Sequence, residues 1–364
     1  MAAAVTRAAG TAPGRTEGKE ATVPNPGPQP PPSASPSPPS PPPPSQPLRP
    51  APDGKLPYGM QLPIQSQSAL YAEPWEASAT PADLGRIARA ADRSGFAYIA
   101  SCDHIAVPRR LAEGMSTVWY DPVATLAYLA GITERVLLLS HVAVVGLRHP
   151  LITAKQYATL DHLSGGRLIL GVGAGHVREE FEAVGADFDG RGPVLDETID
   201  ALRAALGPEE YPEFAGERFS FGGLGQLPRP AQERVPVWVG GSSPAAVRRA
   251  AVRGDGWLPQ GDPRDRLPAQ IARVRALRAE AGVEEPIVIG AITEPLYVGE
   301  PGWPVGRRTL AGKPEELAAS LREYAAMGVH QIQVRFRSRS VAELTDQMAA
   351  FGADVAPHLD RSDQ

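Results

Sequence analysis

The sequence predicts a (β/α)8 TIM barrel of the α/β class, preceded by a long Pro- and Ser-rich segment. Three observations predict it. Eight short apolar strand signals alternate with helix signals from about residue 57 onward. Every connection between successive strands is too long for a hairpin, so the strands run parallel. The roughly 300 residues that carry these signals suit one such barrel. A doubly wound open sheet is the alternative. The count of eight favours the barrel.

The elements follow in order. Residues 1–56 hold Pro24-Asn25-Pro26-Gly27-Pro28 and the run Pro41–Pro44 among Ser and Gln. Such a stretch lacks the apolar surface that would offset its ordering entropy, so it reads as a disordered tail ahead of a domain over 57–360. It shows no signal-peptide core and no twin arginine. A true start nearer Met60 is an alternative. Met60–Ser66 is the first strand. Thr80-Pro81-Ala82-Asp83 caps a helix whose Leu84, Ile87, Ala88 and Ala91 share a face, and Gly95 stops it. Ala97–Ser101 is the second strand and Pro122–Gly131 the second helix. Val136–Val142 is the third strand. Pro150 opens the third helix, which ends at Ser164-Gly165-Gly166, and Leu168–Val172 is the fourth strand. A fourth helix spans about Val194 to Leu206. The Pro/Gly-rich excursion at 207–234 has a small hairpin near Glu217–Phe221. Val235–Val239 is the fifth strand and Gly256–Leu258 the sixth, followed by a helix over 267–281. Pro286–Ala291 is the seventh strand, Pro314–Met327 a helix, Gln331–Phe336 the eighth strand, and Val341–Asp354 the closing helix.

Composition narrows the function. The chain of 364 residues has a net charge of −5, which gives no footing to nucleic acid as a partner. No apolar run approaches the roughly 20 residues of a membrane span. The one cysteine, Cys102, excludes an internal disulfide and suits a reducing cytoplasm. No His-x-His pair, Cys cluster or HExxH is present, which disfavours a metal-dependent hydrolase and leaves no metal ligands to assign.

Barrel chemistry sits on the loops after the strand C-termini. That rule selects Gln65–Gln67, Cys102-Asp103-His104, Ser140-His141, Gly173–Arg178, Gly240–Ser243, Pro259-Gln260, Thr293-Glu294 and Arg337. The stretch from Val235 to Ala250 reads strand, glycine turn, capped helix. Gly240 and Gly241 permit a tight turn and close backbone approach. Ser242 or Ser243 caps the helix and Pro244 sits where its missing N–H costs nothing. The bare N–H groups there favour an anion such as a phosphate, although an ordinary capped turn looks the same. His104 ends the second strand. An imidazole titrates near neutrality and can give and take a proton in one cycle. Asp103 is placed to orient it or to meet a cofactor. Cys102 points the other way, as a small buried residue. Arg178, Glu179 and Glu180 read as a solvated helix start, and Arg248 and Arg249 as surface. His149 and His162 read as structural, and His330 and His358 have no partner by spacing.

Ser101-Cys102-Asp103-His104-Ile105, Gly146-Leu147-Arg148-His149-Pro150, Leu163-Ser164-Gly165-Gly166-Arg167 followed by Gly171-x-Gly173-x-Gly175, and Gly240-Gly241-Ser242 with Gly254-Asp255-Gly256-Trp257 stand in one order over residues 58–355. In these motifs the chain resembles the luciferase-like monooxygenases, and within them the branch that uses the deazaflavin coenzyme F420. The resemblance implies an F420-dependent oxidoreductase that moves a hydride to or from a small organic substrate. It gives His104 the proton-transfer role, with plain cofactor contact as the other role. It puts a non-proline cis peptide at His141–Val142, behind the cofactor ring and next to Ser140, with His141 larger than the residues usual there. It brings Gly173 and Gly175 beside the cofactor, and His176 to a place where sugar dehydrogenases of the branch carry a glutamate acid, which argues against a sugar substrate. It gives the phosphate to Gly240, Gly241, Ser242 and Ser243.

Two other functions stay open. One is an FMN-dependent monooxygenase fed by a partner reductase. The other is a non-catalytic flavin or deazaflavin carrier. A homodimer is the assembly considered. Trp119, Tyr120, Tyr297 and Trp303 either line the substrate pocket or pack the loops.

Overall fold

The computed structural model describes residues 56–359. Expectations for residues 1–55 lie outside the described residues. Leu56, assigned to the tail on sequence, is buried in the core, and Met60 is the third residue of the first strand.

Eight parallel strands close into a barrel: β1 (Tyr58–Gln61), β2 (Tyr98–Ser101), β3 (Leu137–Ser140), β4 (Leu168–Val172), β5 (Val237–Gly240), β6 (Gly256–Leu258), β7 (Val288–Ile292) and β8 (Gln331–Gln333). Closure comes from β1, which pairs with β2 (Gly59 beside Tyr98) and with β8 (Tyr58 beside Ile332). The open-sheet alternative is thereby excluded. The main helices are α1 (Pro81–Arg93), α2 (Pro122–Ala130), α3 (Pro150–Ser164), α4 (Arg178–Ala183), α5 (Arg191–Ala205), α6 (Pro244–Arg253), α7 (Leu267–Glu280), α8 (Pro314–Ala326) and α9 (Val341–Ala350). Among the described residues no helix is long and apolar enough to cross a membrane.

Period-2 alternation sorts the strand residues into two cores. Tyr98, Ala100, Leu137, Leu139, Ile169, Trp238, Leu258 and Val288 fill the lumen. Ile99, Leu138, Leu170, Val237, Ile289 and Ile332 face the helices. Large residues in the lumen are matched by glycines. A Cβ on Gly59 would run into the Tyr98 ring, and one on Gly256 into the Trp238 indole. The two rings meet edge to face at 6.1 Å, and the Tyr98 hydroxyl donates to Gln331 Oε1 at 2.7 Å.

Capping side chains start the helices as their sequences require. Thr80 and Asp83 form a reciprocal capping box, and Asp121, Ser243 and Ser340 accept from Ala124, Ala246 and Glu343 N–H groups. Each such cap is worth about 1 kcal/mol. His149 has the structural role expected of it: its Nδ1 accepts from Leu151 at the start of α3. His330 Nδ1 likewise accepts from Ile289, a partner that spacing did not show. The Ser164-Gly165-Gly166-Arg167 motif proves structural. Both glycines have positive φ, and the buried Arg167 donates to carbonyls of Ala130, Val136 and Ser164, tying three elements at the barrel's N-terminal end.

Several boundaries differ from the sequence reading. Strands β1, β3 and β8 stop earlier than expected, with regular pairing ending at Gln61, Ser140 and Gln333. The fourth expected helix starts at Arg191, and the short α4 precedes it. The closing helix is α-helical to Ala350 and then winds through one π turn, Phe351–Val355. The hairpin in the excursion is present as Phe214–Ala215 against Ser220–Phe221. A parallel pair, Leu296–Val298 with Leu310–Gly312, was not foreseen.

Candidate active site

The C-terminal ends of β2, β3, β4 and β5 gather most of the candidate residues. His104 follows β2. Its Nδ1 stands 2.8 Å from Glu180 Oε2, and the other carboxylate oxygen accepts the N–H groups of Ile105 at 2.7 Å and Ala106 at 3.2 Å. Glu180 lies in the first turn of α4, and its side chain is 3% exposed. Burial opposes its charge, but the hydrogen bond and positive potential of His104 and the two backbone N–H groups outweigh that, so its pKa is lowered. Two sequence expectations are corrected here. Glu180 is not solvated, since α4 leans over the end of β2. Asp103 does not orient His104, since its carboxylate takes Arg148 in a bidentate pair at 2.7 and 2.9 Å and the Val144 N–H at 2.8 Å. Asp103 therefore joins the loop after β2 to that after β3.

His104 Nε2 has no hydrogen-bond partner among the described residues. The ring packs edge to face on Trp119 at 4.4 Å and lies 5.4 Å from the ring of His176. Burial first, and then the neighbouring His104, lower the His176 pKa, so His176 favours its neutral form. Arg178 pairs with Asp189 and Glu179 with Arg110, both on the surface as expected.

After β3 the chain turns at Ser140-His141-Val142, and the His141–Val142 peptide is cis. Ser140 Oγ donates to the Gly171 carbonyl. His141 keeps this geometry despite its size. The ring is buried, neither nitrogen has a partner, and burial lowers its pKa to about 4, so it stands neutral. Val142 leans toward the lumen. A Cβ on Gly173 would lie 2.5 Å from Val142, and one on Gly240 2.6 Å from it. The two glycines thus leave room for an apolar step at the mouth. Gly175 has φ +75°, and a Cβ there would press on Val144 and Phe181.

The β5–α6 turn is fastened from β6. Gly241 N–H donates to Leu258, Trp257 Nε1 donates to the Gly241 carbonyl, and Ser242 Oγ accepts from Gln260 N–H. Gly241 has φ +107°, where a side chain is strained. Ser243 caps α6 through Ala246. Among the described residues, the N–H groups of Ser242, Ser243 and Ala245 make no hydrogen bond. A hollow of about 690 Å³ adjoins the turn, with Ser242, Arg248 and Arg273 in its wall. Arg249 is not on the surface as expected: it is 6% exposed and pairs with Asp196 of α5 at 2.6 Å.

The remaining candidates serve the loops. Gln65 is fully buried and takes the Ser101 hydroxyl and Cys102 N–H. Cys102 is buried, and burial raises its thiol to about 11. Glu294 accepts from Tyr324, and Arg337 pairs with Glu73. Tyr297 and Trp303 both donate to Glu343 and so pack a loop. Of the four loop aromatics, Trp119 is the one placed against a candidate catalytic group.

A family model described as luciferase-like monooxygenase matches residues 56–301. An uncharacterised protein of Mycobacterium tuberculosis is 34% identical over 221 residues, which is 57% of this chain and 75% of that protein. The FMNH2-dependent dimethylsulfone monooxygenase of Pseudomonas putida is 29% identical over 202 residues, or 54% of this chain and 53% of that enzyme. Among solved structures, an F420-dependent secondary alcohol dehydrogenase in complex with an F420–acetone adduct superposes with a TM-score of 0.67 at 17% identity, covering 84% of this chain and 99% of that one. At that identity the likeness is one of fold.

Proposed function

The chain belongs to the luciferase-like monooxygenase family, and from that premise we propose that it is an oxidoreductase that binds coenzyme F420 and passes a hydride between it and a small organic substrate. The observation that carries the reading is the His104–Glu180 pair: Nδ1 held by a buried carboxylate, Nε2 without a partner among the described residues.

The residues present suit a deazaflavin. The step at Val142 gives an aromatic ring an apolar surface, and the unbonded N–H groups of Ser242, Ser243 and Ala245 suit a phosphate at the start of α6. Ser140, His141, Gly173, Gly175, His176, Gly240 and Gly241 complete this wall, with Asp103 behind it bracing the loop. A bound deazaflavin supplies hydride-donor and hydride-acceptor chemistry at its ring. The protein supplies the proton. Glu180 fixes Nδ1–H of His104 toward itself, so Nε2 carries the lone pair that takes a hydroxyl proton in alcohol oxidation. In the reverse direction the imidazolium returns that proton to the product oxygen. Trp119 shields the ring from water.

The P. putida relative favours a second reading, an FMN-dependent monooxygenase fed by a reductase. A carrier with no catalysis would need no acid–base group, and the buried His104–Glu180 pair weighs against it.

The test is turnover with F420 on a panel of enones, quinones and secondary alcohols. Positioned acid–base groups contribute about 10²–10⁴-fold. His104→Ala should lower turnover by about that factor and leave F420 affinity within a few-fold. Turnover that survives within a few-fold would reduce His104 to a cofactor contact.

A further inference from the structure

Beyond β8 the alternation of side chains continues. Val334 and Phe336 lie in the core that faces the helices, as Ile332 does, while Gln331 receives the Tyr98 hydroxyl inside the lumen. Gln333 and Arg335 therefore stand on the lumen side, stepping up to the mouth. Arg335 is half-buried, and among the described residues its side chain makes no hydrogen bond and no ion pair. A guanidinium offers five donors, and withdrawing it from water without acceptors is unfavourable. The carboxylates of Glu73 and Glu76 lie close enough to offset part of its charge, but neither accepts a hydrogen bond from it. Glu73 pairs with Arg337, and Glu76 accepts the N–H groups of Ile64 and Glu73 at 2.8 Å each. Just below, Gln333 Oε1 is buried with no partner. What flanks Arg335 is the ring of Tyr71, 5.2 Å from the guanidinium carbon and 55% exposed.

This cation is on the same mouth as His104. The barrel order is β8–β1–β2, and the loop after β1 touches both neighbours. Its Ser66 bridges to Trp119, which packs on His104. Its Tyr71 and Glu73 meet Arg335 and Arg337. Two strand spacings amount to about 10 Å between the strand backbones.

We propose that Arg335 determines specificity by binding a carboxylate or similar oxyanion of the substrate, so that the substrates are small organic acids held with their reacting carbon toward His104. This rests on the hydride-transfer reading above. The same chemistry is offered by the acidic tail of F420, and the experiment separates the two sources.

Lactate, succinate and benzoate are titrated into the full-length protein without cofactor, each against its amide, with binding read by ligand-observed NMR. F420 is titrated separately by fluorescence. The wild type should bind at least one acid ten-fold or more tightly than its amide. Arg335→Gln should abolish that preference, Arg335→Lys should keep part of it, and both should hold F420 within two-fold of wild type. Melting curves confirm that both variants are folded. The proposal is overturned if no acid is preferred over its amide, if the preference survives in Arg335→Gln, or if Arg335→Gln weakens F420 instead. Because the probes are read without turnover, such a failure leaves the His104 test standing, and a failure at His104 leaves this one readable.

Discussion

At the scale of single residues, the site turns on how one carboxylate is spent. Glu180 makes three hydrogen bonds to the chain around His104, and its charge is what a protonated imidazole needs beside it. Glu180→Gln keeps an acceptor for the backbone N–H groups and removes the charge. It should lower kcat by about 10–10²-fold while F420 affinity stays within a few-fold. An unchanged kcat would make Glu180 a loop anchor only. His104 was legible in the sequence because a histidine at a strand end is informative by itself. Glu180 was not, because it sits 76 residues further on and resembles any acidic first turn of a helix. Nor was Arg335, since its meaning lies in the hydrogen-bond acceptors it lacks. His141 gives a second prediction. Its folded pKa, about 4, is below the unfolded value near 6.5, so between those values the unfolded chain binds more protons. The contribution is therefore whole above about pH 6.5 and lost as pH falls toward 4, amounting to roughly 3 kcal/mol at most. Denaturant unfolding at pH 7 and pH 4.5 should show a larger acid loss in wild type than in His141→Leu, where only the other groups titrate. Equal losses would mean the ring is not buried and neutral.

At the scale of elements, the β5–α6 turn was the best-marked feature of the sequence. Strand, double glycine, serine cap and N1 proline all point to one geometry, and the helix starts where they say. What the sequence lacked was the clamp from β6, because Trp257 and Gln260 reach the turn only through tertiary packing. Gly241→Ala and Gly241→Asp distinguish shape from charge. Both strain a residue at φ +107°, and the Asp also puts a negative charge at the N–H groups proposed to hold the phosphate. Gly241→Asp should weaken cofactor binding by several kcal/mol, clearly more than Gly241→Ala does. Equal losses in calorimetric titrations would remove the anion from the argument. The missed strand pair at 296–298 and 310–312 follows from composition. Gly299, Gly302 and Gly306 with Pro301 and Pro304 break any periodic signal between them.

At the scale of the whole molecule, alternation and loop length sufficed to place eight strands, and β1 closes them with its neighbours on both sides. Strand ends were less legible, since pairing stops where side chains are needed at the mouth rather than where the apolar run stops. The core takes in Leu56 and Tyr58. A chain beginning at Lys55 should thus keep its melting temperature within a few degrees, whereas one beginning at Met60 loses half of β1 and should not fold stably. A large loss from the first truncation would show that residues before Lys55 support the barrel. The central claim, a deazaflavin at the mouth served by His104 and Glu180, is tested most directly by titrating the purified protein with F420 and with FMN while following fluorescence. The account predicts saturable F420 binding at least ten-fold tighter than FMN. FMN binding the tighter of the two, or no F420 binding at all, would contradict it.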